Sequence, residues 1–303
     1  MPKLYIGNKN YSSWSMRPWV LLKQAGIPFE EVRVRFDSFD ADSEFKRVIG
    51  PVSPTGKVPV LVDGDLVVWD TLAIAEYVAE TWADKQLWPA DPKARARARS
   101  VCAEMHSGFT ALRGACPMNI EASLPDVGRL IWRDQPGVRA DVARLCGLWG
   151  ELLAAQPAGS LLFGPFTIAD AYFAPVCMRI RTYALPVSDT VRAYVDRVTA
   201  LPAVAEWIGP FRGSAAVVIC QHGHQLSEGV AAWLRHEGVE AENLDREALM
   251  RHEASEKSVD LAKVRGEQWH HWQRKSFPGE WIEVANDDGT TYRWEQKQGV
   301  AEE

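Results

Sequence analysis

The chain lacks any run of about 18 consecutive apolar residues, which excludes a helix that spans a bilayer by length and hydropathy. It has no basic stripe, which argues against nucleic acid as a partner. Cysteine is scarce: Cys102, Cys116, Cys146, Cys177 and Cys220 are widely spaced and odd in number, so they do not form a disulfide framework. Four of them fall in apolar helical stretches, where a buried, inert thiol is expected. No internal repeat or low-complexity tract interrupts the chain. Met1-Pro2-Lys3-Leu4-Tyr5-Ile6 enters a strand at once and lacks a signal-peptide profile, so a cytoplasmic location is expected.

What is present is ample apolar material, 47% of 303 residues with 24% charged, enough for two ordinary domains and a large core. Charge is uneven. Residues 1–213 carry 24 basic and 23 acidic side chains, net +1, whereas residues 214–303 carry 10 and 17, net −7, with six of the seven histidines. The C-terminal part is a different kind of sequence.

Residues 3–7 predict a strand, 15–25 a helix closed by Gly26, and 30–36 a strand by alternation. A short polar helix follows near 41–48. Runs 58–62 and 66–68 flank Asp63-Gly64, a hairpin signal, and Thr71–Trp82 is amphipathic. This β-α-β-α-β-β-α order predicts a small α/β domain over 1–86. Leu87–Pro92 reads as a linker. Beyond it the pattern is helical over 93–212, with long periodic stretches at 93–116 and 127–155. Thr167 and Asp170 predict a reciprocal capping box at the start of a third helix. Helices near 188–199 and 203–209 complete an all-α domain.

The densest chemical signal is Tyr11-Ser12-Ser13-Trp14-Ser15-Met16-Arg17-Pro18. It sets hydroxyls between a short strand and a helix, where unpaired N–H groups and the helix dipole favour an anion. A thiol held there loses its proton more easily. No cysteine occupies the position, so the thiol has to come from a ligand.

Ser12-Ser13-Trp14-Ser15-Met16-Arg17 resembles the Ser-Ser-Cys-Ser-x-Arg element of the zeta class of glutathione S-transferases, with Trp14 at the cysteine position. It is more similar to a bacterial group carrying Tyr-Ser-Ser-Trp-Ser-x-Arg-Pro. Glu104–Phe109, Ala111-Leu112-Arg113 and Pro117-Met118-Asn119 are similar to that group as well, and the resemblance covers about residues 3–212. It implies a thioredoxin-like α/β domain followed by an all-α domain, a homodimer, and glutathione as co-substrate. Ser12 or Ser13 would donate a hydrogen bond to the sulfur, with Ser12 favoured by the family. Lys57, Val58 and Pro59 would form the family's cis-proline turn, with the Val58 backbone pairing with the cysteinyl unit. Asp70 and Thr71 would take the γ-glutamyl amine and carboxylate; a plain helix cap is the alternative. Trp14, Met105, Phe109 and Arg113 would line the electrophile site, although Met105 and Phe109 are also spaced for core packing. His106 and Asp170 read as structural. The reaction implied is thiolate attack on a small electrophile. The zeta likeness extends this to isomerisation of a double bond by addition and elimination of the same thiol.

The segment 213–303 predicts an α/β appendage whose fold the sequence leaves open. Residues 216–244, with Cys220-Gln221-His222-Gly223-His224, resemble the active-site half of rhodanese-like sulfurtransferases. That makes Cys220 a sulfur-transfer candidate, although the strands that precede such a cysteine are missing. The alternation of Cys220, His222 and His224 also suits zinc in an extended strand, but Gly223 and the helical run that follows favour a tight loop, and no metal is assigned. Asn286-Asp287-Asp288-Gly289 predicts a hairpin over 280–295. Two rivals to a transferase therefore stand: a sulfurtransferase acting through a Cys220 persulfide, and a non-catalytic glutathione-binding scaffold.

Overall fold

The computed structural model describes residues 1–35, 43–209, 281–285 and 292–296. The chain divides into two compact units, Met1–Val218 and Ile219–Glu303.

The first unit opens with a four-stranded sheet. Strands β1 (Lys3–Ile6), β2 (Glu30–Arg33), β3 (Val60–Asp63) and β4 (Leu66–Trp69) lie in the order β2-β1-β3-β4. β1 and β2 are parallel, with Leu4 opposite Glu31; β1–β3 and β3–β4 are antiparallel. The parallel pair needs a crossover, and helix α1 (Ser13–Gln24) supplies it. The β3–β4 hairpin turns on Gly64-Asp65, one residue later than Asp63-Gly64, because Asp63 still pairs with Leu66. Gly64 has φ 62°, which a side chain with a β-carbon rarely adopts. Helices α2 (Glu44–Ile49) and α3 (Thr71–Thr81) complete this half; Phe45 and Ile49 of α2 pack with Val34 and Val60 in one apolar cluster.

The helical half comprises α4 (Pro92–Ser107), α5 (Thr110–Ala115), α6 (Pro125–Asp134), α7 (Pro136–Ala154), α8 (Ile168–Thr182), α9 (Asp189–Ala200) and α10 (Pro202–Ile208). Two stretches that periodicity reads as continuous are broken. Gly108 turns to extended backbone and Phe109 to φ 55°, which separates α4 from α5. A β-carbon on Gly108 would lie 2.8 Å from the Glu104 carbonyl, so only glycine fits that exit. Pro136 starts a new helix after Gln135, because its ring cannot continue the preceding one. Hydrophobic periodicity carries through both breaks, and this is why sequence alone fuses the helices. At the start of α8 the carboxylate of Asp170 accepts from the Thr167 N–H at 2.9 Å and its hydroxyl at 3.1 Å.

α1 is buried from Ser15 to Leu22 and packs against α3, α8 and α10, so both halves close around it. The polar Ser15 and Arg17 are buried with the apolar residues of this run. Among the described residues, no helix is long and apolar enough to cross a membrane.

In the second unit, β5 (Trp281–Ala285) and β6 (Tyr292–Gln296) pair antiparallel, with Ala285 opposite Tyr292. Cys220, the rhodanese-like segment 216–244, and the turn residues Asn286–Gly289 lie outside the described residues.

Candidate active site

The loop between β1 and α1 fixes the site. Asn8 accepts at its carbonyl from the Ser12 N–H at 2.8 Å. The Asn10 side-chain oxygen accepts from the N–H groups of Ile120 and Glu121 in the helical half. The Lys9 ammonium reaches Glu31 Oε2 at 2.8 Å and lies over the Trp19 ring, 4.4 Å from its centre. These bonds hold the loop to one geometry, although Asn10 Nδ2 is buried without a partner.

Ser12 occupies the N-cap of α1 but does not cap it. Its hydroxyl, in a residue 5% exposed, donates to Ser15 Oγ at 2.8 Å, and Ser15 Oγ also accepts from the Gly7 N–H at 3.1 Å. The first turn of α1 therefore has no side chain spent on its orphan N–H groups. Ser13 is buried beside it. Ser15 belongs to the recognised element yet was not singled out, because a serine one turn into a helix gives no sign of which oxygen it will hold.

Val58-Pro59 is a cis peptide bond. The sheet ladder begins at Val60, so the Val58 N–H and C=O take no part in it. The Lys57 N–H donates to Ser53 Oγ at 3.3 Å, and its side chain is exposed.

Asp70 is the N-cap of α3, with φ 73°. Its Oδ1 accepts from Leu72 N at 2.8 Å and Ala73 N at 3.4 Å, so the plain cap is realised. The side chain is nevertheless 43% exposed. Thr71 is buried, and its hydroxyl shares a hydrogen bond with Tyr172 OH at 2.7 Å. Thr71 begins a helix whose core-facing side meets α4 and α8 in the helical half, and sequence within 1–86 holds no trace of that partner.

The electrophile-lining set is split. Trp14 and Arg113 come together, the Arg113 guanidinium 5.0 Å from the Trp14 ring centre, and both are half-buried. Met105 is 0% exposed and belongs to the core, and Phe109, 5% exposed, sits in the break after α4 rather than one turn along the same helix. Core packing takes both.

Two guanidiniums, of Arg17 and Arg113, meet the Trp14 ring, and that of Arg179 lies near enough to repel both. Arg17, 2% exposed, lies 4.0 Å from the Trp14 ring centre and 4.6 Å from that of Tyr172. Its Nε donates to the Tyr172 carbonyl at 3.1 Å, and its Nη1 has no partner. Arg113 donates to the carbonyls of His106 and Gly108, and Arg179 to those of Cys116 and Pro175. Among the described residues none of the three meets a carboxylate. Burial pushes Arg17 down to about 9, with Arg179 and Arg113 adding repulsion. Burial likewise lowers Arg179 to about 10. Cationic charge this dense and unpaired favours an anion at the site. Among the described residues, burial raises the thiols of Cys102, Cys116 and Cys177 far above their ordinary value.

Comparison with known proteins fits this arrangement. Residues 11–81 match the family model for the glutathione S-transferase N-terminal domain, and residues 92–209 match that for the C-terminal domain. A protein of Caenorhabditis elegans named probable maleylacetoacetate isomerase is 29% identical over 209 residues, 67% of this chain and 90% of that protein. Glutathione S-transferase 1 of Dianthus caryophyllus is 31% identical over 178 residues, 57% of this chain and 75% of that protein. A glutathione transferase homologue from Burkholderia gl BGR1, solved with bound glutathione, superposes with a TM-score of 0.52 at 26% identity, covering 71% of this chain and 99% of its own. A thioredoxin-like sheet half, a helical half closed on α1, and relatives matched across both place this chain in the glutathione S-transferase family.

Proposed function

We propose that the chain binds glutathione along the Val58–Asp70 edge and activates its thiol at the start of α1. Ser12 holds the sulfur, with Ser13 next to it. The observation that carries this is the Ser12 hydroxyl: it sits at a helix N-terminus, free of capping duty, with unpaired arginines behind it. The Ser12 hydrogen now lies on Ser15 Oγ; when it turns toward a thiolate, the Ser15 hydroxyl, still accepting from the Gly7 N–H, can rotate to donate to the Ser12 oxygen. A hydrogen bond to the charged form lowers a thiol's pKa. The Val58 N–H and C=O, outside the ladder, suit the cysteinyl backbone, and the exposed Asp70 carboxylate suits the γ-glutamyl amine.

The arginine cluster supports an electrophile that carries a carboxylate. The thiol proton leaves to solvent; attack of the thiolate then forms a carbon–sulfur bond as the electrophile's π bond opens, its electron pair passing to the conjugated acid group. Addition to a cis-unsaturated acid, rotation about the new single bond and expulsion of the same thiolate would isomerise it with no atom gained. The relative named for such an isomerase supports this variant, with Trp14 at the position where the zeta element has cysteine. A homodimer is part of the same reading: Leu66 and Trp69 stand exposed on β4, the edge strand of the sheet, and suit a second copy.

Titration calorimetry with glutathione tests the core of the reading; no heat overturns it. In the pH profile of kcat/KM, Ser12→Ala should raise the apparent pKa of the rising limb by roughly one, which corresponds to about 1.4 kcal/mol of lost thiolate stabilisation. An unmoved limb in both Ser12→Ala and Ser13→Ala removes the hydroxyl from the mechanism.

A further inference from the structure

Four side chains close a ring around the start of α3. Asp70 Oδ2 faces His106 Nε2 at 3.4 Å. His106 Nδ1 meets Tyr172 OH at 2.8 Å, and Tyr172 OH meets Thr71 Oγ1 at 2.7 Å. Asp70 and Thr71 are neighbours in the chain, so the ring joins α3, the last turn of α4 and the first turns of α8. Proton bookkeeping gives it a direction. A carboxylate only accepts, so the imidazole hydrogen belongs on Nε2. Nδ1 then accepts from the tyrosine hydroxyl, which in turn accepts from Thr71. Each donor in the ring is used once, and the series ends on Asp70.

The other carboxylate oxygen, Oδ1, is committed to the cap through Leu72 and Ala73. Oδ2 is the one left for a ligand, and His106 fixes where it points. The imidazole is itself held from two sides, by Tyr172 and by the Trp14 ring 5.0 Å away, and Arg113 donates to the backbone carbonyl of the same residue.

We propose that His106 is a positioning residue for the ammonium group of the γ-glutamyl end, acting through Asp70. This rests on the assignment of Asp70 to that amine and adds the side chain that orients it. The prediction is a selective one. Loss of the Nε2 contact weakens binding of a ligand with a free amine and leaves a ligand with a masked amine untouched.

Two isosteric variants separate the halves of the imidazole. Asn at 106 keeps an amide near Nδ1 and cannot reach Asp70; Gln reaches toward Asp70 with an amide N–H. KM is measured for glutathione and for N-acetylated glutathione, with melting temperatures as the folding control. His106→Asn should raise KM for glutathione about threefold, the scale of a partly exposed charged contact, while kcat at saturation falls much less. His106→Gln should recover most of that loss. KM for the acetylated analogue should be the same in wild type and both variants. Equal KM values for Asn and Gln overturn the proposal, as does a parallel rise with both ligands, which marks a merely structural role. If wild type itself does not distinguish glutathione from its acetylated form, the Asp70 assignment fails first, and the inference with it. Should His106→Asn not fold, Tyr172→Phe carries the test. It removes the donor that holds the tautomer, and a KM for glutathione that stays at the wild-type value overturns the proposal equally.

Discussion

Replacing Arg17 by methionine separates what this residue does for the fold from what it does for a ligand. A buried cation is ordinarily expensive to truncate, because its partner is left behind; breaking a buried pair costs about 3–5 kcal/mol. Arg17 has no such partner. Its drop from 12.5 to about 9 corresponds to a penalty of roughly 5 kcal/mol on the charged form, with burial as the first cause and repulsion from Arg179 and Arg113 adding to it. Against this stand one bond to the Tyr172 carbonyl, about 1.5–3 kcal/mol for a charged donor, and two ring contacts of about 0.5–2 kcal/mol each. The two sides nearly cancel. The Tyr172 carbonyl lies inside α8 and keeps its helical bond when the guanidinium goes, so nothing buried is stranded. Arg17→Met should therefore leave stability within about 1 kcal/mol of wild type, or raise it. Urea unfolding at pH 7 reads this as an unchanged or higher midpoint at constant slope. Turnover with glutathione and an anionic electrophile should fall by roughly 10- to 100-fold, as expected when a cation near a developing charge is removed. A loss of stability above about 3 kcal/mol would refute the reasoning, since it would mean that the charge is compensated in the folded protein.

Gly128 sits in α6 where a β-carbon would lie 1.7 Å from the Tyr183 carbonyl, so Gly128→Ala should destabilise by more than about 2 kcal/mol as α6 is forced off its neighbour, measured by thermal unfolding. Gly147, exposed in the middle of α7 with nothing within 4 Å of its virtual β-carbon, gives the opposite sign: Gly147→Ala should stabilise by about 0.5–1 kcal/mol. Burial holds the Asp170 carboxyl at about 6 against an ordinary 3.8, although Thr167, Leu162 and Tyr194 donate to it. A raised carboxyl favours the protonated fold, so its share of stability is complete below the ordinary value and is lost as pH rises through about 6. The stability difference between wild type and Asp170→Asn should shift across that window; a difference that stays flat from pH 4 to 7 refutes the assignment.

Local rules made much of the fold legible. Strand alternation, the turn residues near 64 and the Thr167–Asp170 cap depend on neighbours within a few positions, and those neighbours are visible in the string. The helix breaks at Gly108 and Gln135-Pro136 were hidden because the apolar repeat runs through them, although a glycine and a proline marked both places. At the candidate site, the helix-start position of Ser12 and Ser13, the Val58-Pro59 turn and the cap at Asp70 were legible, since each depends on neighbours within a few positions. Tyr172 was not. It lies 101 residues from Thr71 and 66 from His106, in an apolar helix where a tyrosine gives no sign of where its hydroxyl ends. Nor does spacing give the burial of Met105 and Phe109 or the Tyr172 bond of Thr71: it orders residues along an element but says nothing about which neighbour they meet.

The placement of Ser12 belongs to the whole 1–209 body rather than to the sheet half that carries it. The loop that presents it is anchored at Asn10 on Ile120 and Glu121, 110 and 111 residues away, and at the Lys9 carbonyl by the Trp207 indole N–H at 2.9 Å. Lys9 also bonds Glu31 on β2, and Trp19 of α1 donates to the same carboxylate oxygen at 2.7 Å. Burial alone would raise that carboxyl, yet the Lys9 and Trp19 bonds hold it below its ordinary value. A short β-α-β unit with a hydroxyl at its helix start is common to many proteins and activates nothing by itself. Here the loop is pinned from the far half, and the arginines behind α1 come from α1, α5 and α8 together. The corner that brings these arginines together is therefore made by both halves where they pack on α1.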